Sequence, residues 1–394
     1  MREHASSPEH QAQREIVAEL LKPRPTIIAI EGGPCSGKTT LIEQLQRSAG
    51  NRQVVCLPEA ATEYILRLQS KGVDIADIEQ NDRGAWLAFE KDVLGSIVKN
   101  LETAREVYAG TDAVIVTDRA DIGAYVTADE YGGLLRELGL DVPPILTHVD
   151  QVYYLPSLAR IDAPLYEQIS TNNPARLESV EKAAAVCERT LAVVGNHPEL
   201  HVAWGGEFDT TIAQLTESIL YPENESEVKL KPRLERPDAV ERYFGTADTV
   251  SVALIEQTYY ELEGTVFRLR RTATKLGGVL HTFTVKHGKG IHRREIQRSI
   301  DIATFQQLSQ CQRVGETLVK ERSTVLLPDG GSKKRAWALD RYFDRRLPEW
   351  NVETDVESEQ EARGVHERMT DFEFATLGAE KLARSLGARS LQVR

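Results

Sequence analysis

The densest chemistry in the chain lies in residues 30–40, IEGGPCSGKTT. Gly32, Gly37, Lys38 and Thr39 fit the spacing G-x-x-x-x-G-K-[ST]. In such a run the glycines let successive backbone N–H groups face one concavity, where an anion sits. Lys38 would reach the β- and γ-phosphates of a nucleotide, and the Thr39 hydroxyl would take one Mg²⁺ position. Gly33, Pro34, Cys35 and Ser36 supply the rest of the loop, and Thr40 follows at the head of the next helix, whose positive end adds to the cradle. Cys35 has no neighbouring His or second Cys in sequence, so it reads as a small filler rather than a nucleophile.

Further charged residues follow apolar runs. Glu59 comes after QVVCLP and is either a general base on an acceptor hydroxyl or a helix cap. Asp118 closes DAVIVTD and either orders Mg²⁺ or caps the next helix. In an open parallel sheet such strand ends meet the ligand.

The second half groups its charges with period two. Arg268 and Arg270 share a face, as do Thr282, Thr284 and Lys286, then Lys320, Arg322 and Thr324, then Glu353, Asp355 and Glu357. Turned inward in a closed barrel, these faces give a basic lumen with an acidic spot. That chemistry suits a polyphosphate, with carboxylates holding a bridging Mg²⁺ or Mn²⁺. Turned outward, they are salt-bridged solvent faces.

The elements that must position these residues are legible in outline. TIIAI (26–30) is a β-branched run suited to a buried parallel strand. Strands at QVVCL, DAVIVTD, QVYYL and ELHVAWG alternate with helices over about 62–109 (with one or two breaks), 174–195 and 209–220. This predicts an α/β domain, a parallel sheet with helices on both faces, over 25–220. An amphipathic helix precedes it at 1–24. YPENESEVKLKPRLERPD and its flank, 221–247, read as a linker. Strand-like runs with Gly or Asp breaks fill 248–360, predicting an antiparallel β-barrel. A helical stretch near 365–386 lies in the last segment, 361–394.

Composition sets limits. The chain has 394 residues, is 41% apolar and 27% charged, and carries a formal net charge of −12, yet residues 229–346 are net basic. A basic block in an acidic chain suggests a polyanion site there, without a strong nucleic-acid signal. No apolar run approaches the roughly 20 residues of a membrane span. Cys35, Cys56, Cys187 and Cys311 are scattered, which points to a reducing cytoplasm. His197 and His201 are separated by Pro198, against a helical metal pair.

Four segments, IEGGPCSGKTTL, LPEAATEYI, VTDRADIGAY and VYYLPSLARIDAPLYE, together resemble P-loop small-molecule kinases. The resemblance is to the AAA-type ATPases near ribosylnicotinamide kinases and, more distantly, to thymidylate and deoxynucleoside kinases. It implies that Arg119, beside Asp118, grips phosphate or acceptor, and that Arg160 and Arg176 are lid arginines for the transferred phosphoryl group. It implies ATP over GTP, since no N-K-x-D run is present. The second half resembles the CYTH, or triphosphate tunnel, family. That family opens on Glu-x-Glu-x-Lys, where this chain has Leu254, Glu256 and Thr258. The resemblance makes Glu256, Glu353 and Asp355 metal ligands. It makes Arg268, Arg270, Lys286, Lys320 and Arg322 the polyanion wall, and the family's Glu295 and Asp340 are also retained. The two domains in this order are similar in architecture to the TRPL translocation-defect family of flies. Three functions are then in view: a P-loop phosphotransferase or NTPase, a nucleotide-switched binder of a polyanion or phosphoinositide headgroup, and a tunnel triphosphatase.

Overall fold

The computed structural model describes residues 7–171, 179–203, 207–221, 224–232, 238–274, 278–287, 292–328, 334–343, 349–355, 363, 365, 369 and 374–376. The chain divides into two compact units. One comprises Pro23–Tyr221 with Pro328–Lys334, and the other Met1–Lys22, Pro222–Leu327 and Arg335–Arg394. The N-terminal helix α1 (Pro8–Leu21) thus belongs with the second half of the chain.

The Pro23–Tyr221 unit begins with β1 (Thr26–Glu31) and α2 (Lys38–Ser48), then β2 (Val54–Leu57). The long helical region resolves into α3 (Ala60–Gln69), α4 (Ile75–Asn81) and α5 (Arg83–Val107). Asp82 accepts from the Ala85 N–H at 2.9 Å and so starts α5. Next come β3 (Val114–Asp118), α6 (Ala128–Glu137), α7 (Pro144–Thr147), β4 (Gln151–Tyr154), α8 (Leu158–Ile161), α9 (Ala163–Thr171), α10 (Val180–Val194), β5 (Leu200–Val202) and α11 (Phe208–Leu220). The sheet order is β2-β3-β1-β4-β5, with every pairing parallel. β1 lies in the middle because its Ile27, Ile28, Ala29 and Ile30 are fully buried on both faces. Ile28 and Ile30 pack with Leu41 and Leu45 of α2 and with Ile212, Leu215 and Ile219 of α11.

The other unit is a barrel. Its strands are β6 (Asn224–Pro232), β7 (Asp248–Leu262), β8 (Thr265–Thr274), β9 (Val279–His287), β10 (His292–Ser299), β11 (Gln312–Pro328), β12 (Lys334–Tyr342) and β13 (Trp350–Asp355). Helices α12 (Ala239–Phe244) and α13 (Ile302–Leu308) interrupt them, and β14 (Phe374–Thr376) adds to β6. The strand order β10-β9-β8-β7-β11-β12-β13-β6 closes through an antiparallel β10–β6 pairing.

Two expectations are corrected here. Residues 221–247 are not simply a linker, since 224–232 pair with β13, β10 and β14 and 239–244 form α12. Val228 and Leu230 of this strand are buried among Trp337, Leu339 and Val352, and that apolar alternation overrides the polar composition around it. Residues 374–376, expected to be helical, pair with β6 as a strand. The rest of 377–386 lies outside the described residues.

The barrel inverts the usual arrangement of a core. Outward faces of β7, β8 and β9 pack Tyr260, Phe267, Leu269, Phe283 and Val285 against Val17 of α1 and Leu308 of α13. Outward faces of β6, β12 and β13 pack Val228, Leu230, Leu339 and Val352 against Val240 and Phe244 of α12 and against Val365 and Met369. Apolar burial is therefore outside the wall, beneath helices, and the alternate residues face the lumen.

Candidate functional site: a phosphate-loop cleft and a charged barrel lumen

The loop between β1 and α2 has the conformation its glycines permit. Gly32 has φ +148° and Gly37 φ +92°, and Cys35 is left-handed at φ +55°. A Cβ on Gly32 would stand 2.0 Å from the Leu155 carbonyl oxygen, and one on Gly37 would stand 2.7 Å from Phe208 Cε2. Both positions exclude a side chain. Pro34 accepts through its carbonyl from the Ser157 hydroxyl, and Gly33 and Ser36 are buried. Lys38 Nζ donates to the carbonyls of Gly32 at 2.9 Å and Gly33 at 3.2 Å, straddling the loop. Thr39 and Thr40 are exposed at the start of α2.

Lys38 shares a cavity of about 60 Å³ with Glu31, Glu59, Asp118, Arg119, Asp121 and Tyr125. The sheet explains why. Asp118 is in register with Ile30, so it emerges at the same strand ends as Glu31 and the loop. Asp118 Oδ1 is buried and has no hydrogen-bond partner among the described residues. Burial pushes the Asp118 carboxyl above its ordinary value and Glu59 adds to this, while Lys38 and Arg119 oppose. A buried carboxylate oxygen with no partner among the described residues, beside this loop, has the chemistry that a hard cation such as Mg²⁺ requires of a donor. Glu59 accepts from the Thr62 hydroxyl at 2.6 Å and makes no side-chain cap to the α3 backbone.

Arg119 lines the cavity in a left-handed conformation, φ +66°. It donates through Nη2 to Glu90 at 3.1 Å and through Nε to the Asp121 carbonyl at 3.1 Å, and its guanidinium lies 4.0 Å over the Tyr125 ring. Arg160 pairs with Glu188 at 3.0 Å and does not line the cavity. Arg176 lies outside the described residues.

Sequence reasoning missed three carboxylates of this site. Glu31, 4% exposed, accepts from the Ala120 N–H at 2.7 Å, and burial pushes it up to about 8. Glu90 is fully buried in α5, and burial pushes it up to about 7 against the pull of Arg119. Asp121 accepts from the Tyr131 hydroxyl and from the Gly123 N–H at 2.6 Å, and burial raises it too. A signal for Glu90 existed: it shares the helical face of Trp86, Phe89, Val93, Leu94 and Ile97, all buried. His197 is buried away from this site, accepting from the Glu199 N–H at 3.1 Å and donating to the Val149 carbonyl at 3.2 Å.

In the barrel, directly opposed residues share a face. Register joins Arg268 and Arg270 to Thr284 and Thr282, Lys286 to Glu295, and Glu353 to Lys229. On the other side of β7, Lys320 and Arg322 oppose Ile255 and Ala253. Arg268, Arg270 and Lys320 are each under a tenth exposed, so these faces point inward. Ion pairs fill the lumen. Arg322 clasps Asp340 at 2.6 and 2.7 Å and reaches Glu353 at 2.6 Å. Lys229 meets Glu353 at 2.8 Å, and Lys320 pairs with Asp340. Glu295 takes Lys286 and, at 3.4 Å, Arg268. Burial works against the charge on Glu353, but Lys229 and Arg322 outweigh it and hold the carboxyl well below the usual range.

Glu256 is the clear correction. It was expected to ligate metal in the lumen, but it is half exposed on the outer wall and pairs with Arg271 at 3.2 Å. The hairpin register sets Gln257 opposite Arg270, Tyr259 opposite Arg268 and Glu261 opposite Val266, so the inward parity of β7 takes in Ala253, Ile255, Gln257, Tyr259 and, next to the strand's end, Glu261. Leu254 and Thr258 have the same outward parity as Glu256. Asp355 closes β13, and its side chain lies outside the described residues.

A family model described as an AAA domain matches residues 27–203. No curated protein matches the chain. Among solved structures, HpAC1 from Hippeastrum, a putative adenylyl cyclase with a dominant triphosphatase activity, is 12% identical with a TM-score of 0.31, covering 43% of this chain and 100% of that one. The PH1012 protein from Pyrococcus horikoshii OT3 is 18% identical with a TM-score of 0.27, covering 43% and 94%. The inorganic triphosphatase NE1496 is 23% identical with a TM-score of 0.23, covering 35% and 80%. Residues 27–203 thus combine a phosphate-loop sequence with a match to an AAA domain, which suggests nucleotide binding, and no helix among the described residues is long and apolar enough to cross a membrane.

Proposed function

We propose that the phosphate-loop domain binds a nucleoside triphosphate with Mg²⁺, ATP before GTP, and passes its γ-phosphoryl group to water or to a small acceptor. The barrel, in this reading, holds a phosphorylated small molecule or a polyphosphate. The observation that carries the first part is the buried, unpartnered Asp118 Oδ1 in the same cleft as Lys38. Bound Mg²⁺ would be held by Asp118 and Thr39 and would neutralise charge developing on the β- and γ-phosphate oxygens. Lys38 would turn from the loop carbonyls to those oxygens. Glu59, which makes no backbone cap and lines the cleft, would take the acceptor's proton. Arg119 is tied to Glu90 and Asp121, so it holds the wall of the acceptor cavity rather than swinging onto phosphate. Arg160 would have to leave Glu188 to act as a lid residue.

Lys38→Ala tests the reading. Nucleotide affinity should fall by at least about 10²-fold with the far-ultraviolet spectrum unchanged. Wild-type affinity for both ATP and GTP in that variant would reject it. A nucleotide-switched binding protein is the second reading, favoured by the outward placement of Glu256, the acid expected to ligate metal in the lumen. Tight nucleotide binding with negligible turnover across small-molecule acceptors would select it.

A further inference from the structure

The tunnel resemblance implies a divalent cation held by carboxylates in the barrel lumen. The described side chains do not fit one. Metal binding in such a lumen needs carboxylate oxygens that are not already committed. β7, the strand expected to supply Glu256, turns Ala253, Ile255, Gln257 and Tyr259 inward and Glu256 outward, and Glu261 shares the inward parity next to the strand's end. The carboxylates whose lumen contacts are described are each bridged by two cations: Asp340 by Lys320 and Arg322, Glu353 by Lys229 and Arg322, and Glu295 by Arg268 and Lys286. Among the described residues, no group of three His, Cys, Asp or Glu side chains could hold a metal ion.

The same contacts say what those carboxylates do. Asp340, fully buried, fixes the Arg322 guanidinium through two parallel hydrogen bonds. Arg322 and Lys229 in turn converge on Glu353. Asp340, Glu353 and Glu295 are thus spacers that hold cations apart and aimed. Gln257 reaches Arg270 at 3.4 Å and supplies no charge. A polyanion entering this lumen meets pre-positioned ammonium and guanidinium groups directly.

We propose that the lumen binds its polyanion by direct contact with Arg268, Arg270, Lys286, Lys320 and Arg322, without a divalent metal bridge. This rests on the reading of the barrel as a polyanion site. The test is calorimetry with inorganic tripolyphosphate on the full chain carrying Lys38→Ala, which silences the phosphate loop. It is run in chelator, in Mg²⁺ and in Mn²⁺ at matched ionic strength. Binding in chelator should be at least as tight as in either metal, because metal complexation lowers the ligand's charge. Adding Arg270→Gln, or Lys286→Gln if the first variant does not fold, should weaken it by at least about tenfold. Affinity more than about tenfold tighter in Mg²⁺ or Mn²⁺ would overturn the metal-free mode while leaving the barrel a polyanion site. Binding that ignores a folded lumen variant would place the ligand elsewhere and overturn the proposal. Absence of binding in all three buffers would reject the polyanion reading itself.

Discussion

Glu31 and Asp118 close β1 and β3 at the same edge of the sheet, Asp118 in register with Ile30, yet they carry different tasks. Glu31 spends one oxygen on the Ala120 N–H, fixing the turn after β3. Its pKa is raised by burial from an ordinary 4.5 to about 8. Between those values the folded state holds a proton that the unfolded state has released, so this group's contribution to stability is present in acid and is lost as pH rises toward 8. Glu31→Gln keeps a carbonyl oxygen for Ala120 and has no proton to lose. Its melting temperature should therefore exceed wild type by more at pH 8 than at pH 5, by an equivalent of at least about 1 kcal/mol. Equal shifts at both values would show that Glu31 is charged in the folded state throughout this range, with its pKa not raised. Asp118 has no such partner for Oδ1. Asp118→Asn should lower turnover by at least about 10²-fold while weakening nucleotide binding less, because charge at that oxygen matters most as the phosphoryl group departs. Unchanged turnover in a phosphate-release assay would reduce Asp118 to a structural residue.

At the scale of elements, the barrel is stable because helices cover its outer wall. Val17 of α1 is 6% exposed and packs in the cluster of Phe267, Leu269 and Phe283. Val17→Asp would bury an unpaired carboxylate there at a cost of more than about 2 kcal/mol. Its unfolding should appear as an earlier transition of the barrel unit, with nucleotide affinity retained, and a single unshifted transition would contradict the placement of α1 in that unit. How far such elements were legible depends on what writes them. The phosphate loop is written by spacing alone, and the lumen faces of Arg268, Arg270, Lys320 and Arg322 by a strict period of two. β6 was hidden because only Val228 and Leu230 carry its alternation amid Pro and charge. Glu256 was misassigned because a motif aligned along the chain does not set which face a residue takes. The hairpin register does, and Gln257 opposite Arg270 turns Glu256 outward. Glu31 and Asp121 escaped notice because their burial comes from residues far away in sequence.

Across the whole molecule, charge and chain path divide together. The formal net charge is −12, while the barrel segment 229–346 is basic. The chain leaves the barrel unit at Lys22 and returns at Pro222, so the phosphate-loop segment Pro23–Tyr221 is inserted between α1 and β6. A basic lumen in an acidic chain favours a polyanion over a neutral ligand, and its most buried cation gives that preference a pH dependence. Lys320 is 3% exposed, and burial, with Arg322 adding, pushes its ammonium down to about 7, while Asp340 and Glu353 oppose. Above pH 7 the free barrel then holds Lys320 largely neutral, and a bound polyanion favours the charged form. Binding must take up a proton there, so affinity falls as pH rises from 7 toward 9, by at most about tenfold per unit. Below pH 6 the ammonium is present before and after binding, and this group contributes no slope. Calorimetry with tripolyphosphate in buffers of different ionisation enthalpy reads the proton count directly. Lys320→Arg keeps the charge at all these pH values and should flatten the profile. A flat wild-type profile between pH 7 and 9 would mean that the Asp340 pair keeps Lys320 charged without ligand, and the lumen would then bind as a fixed array of charges.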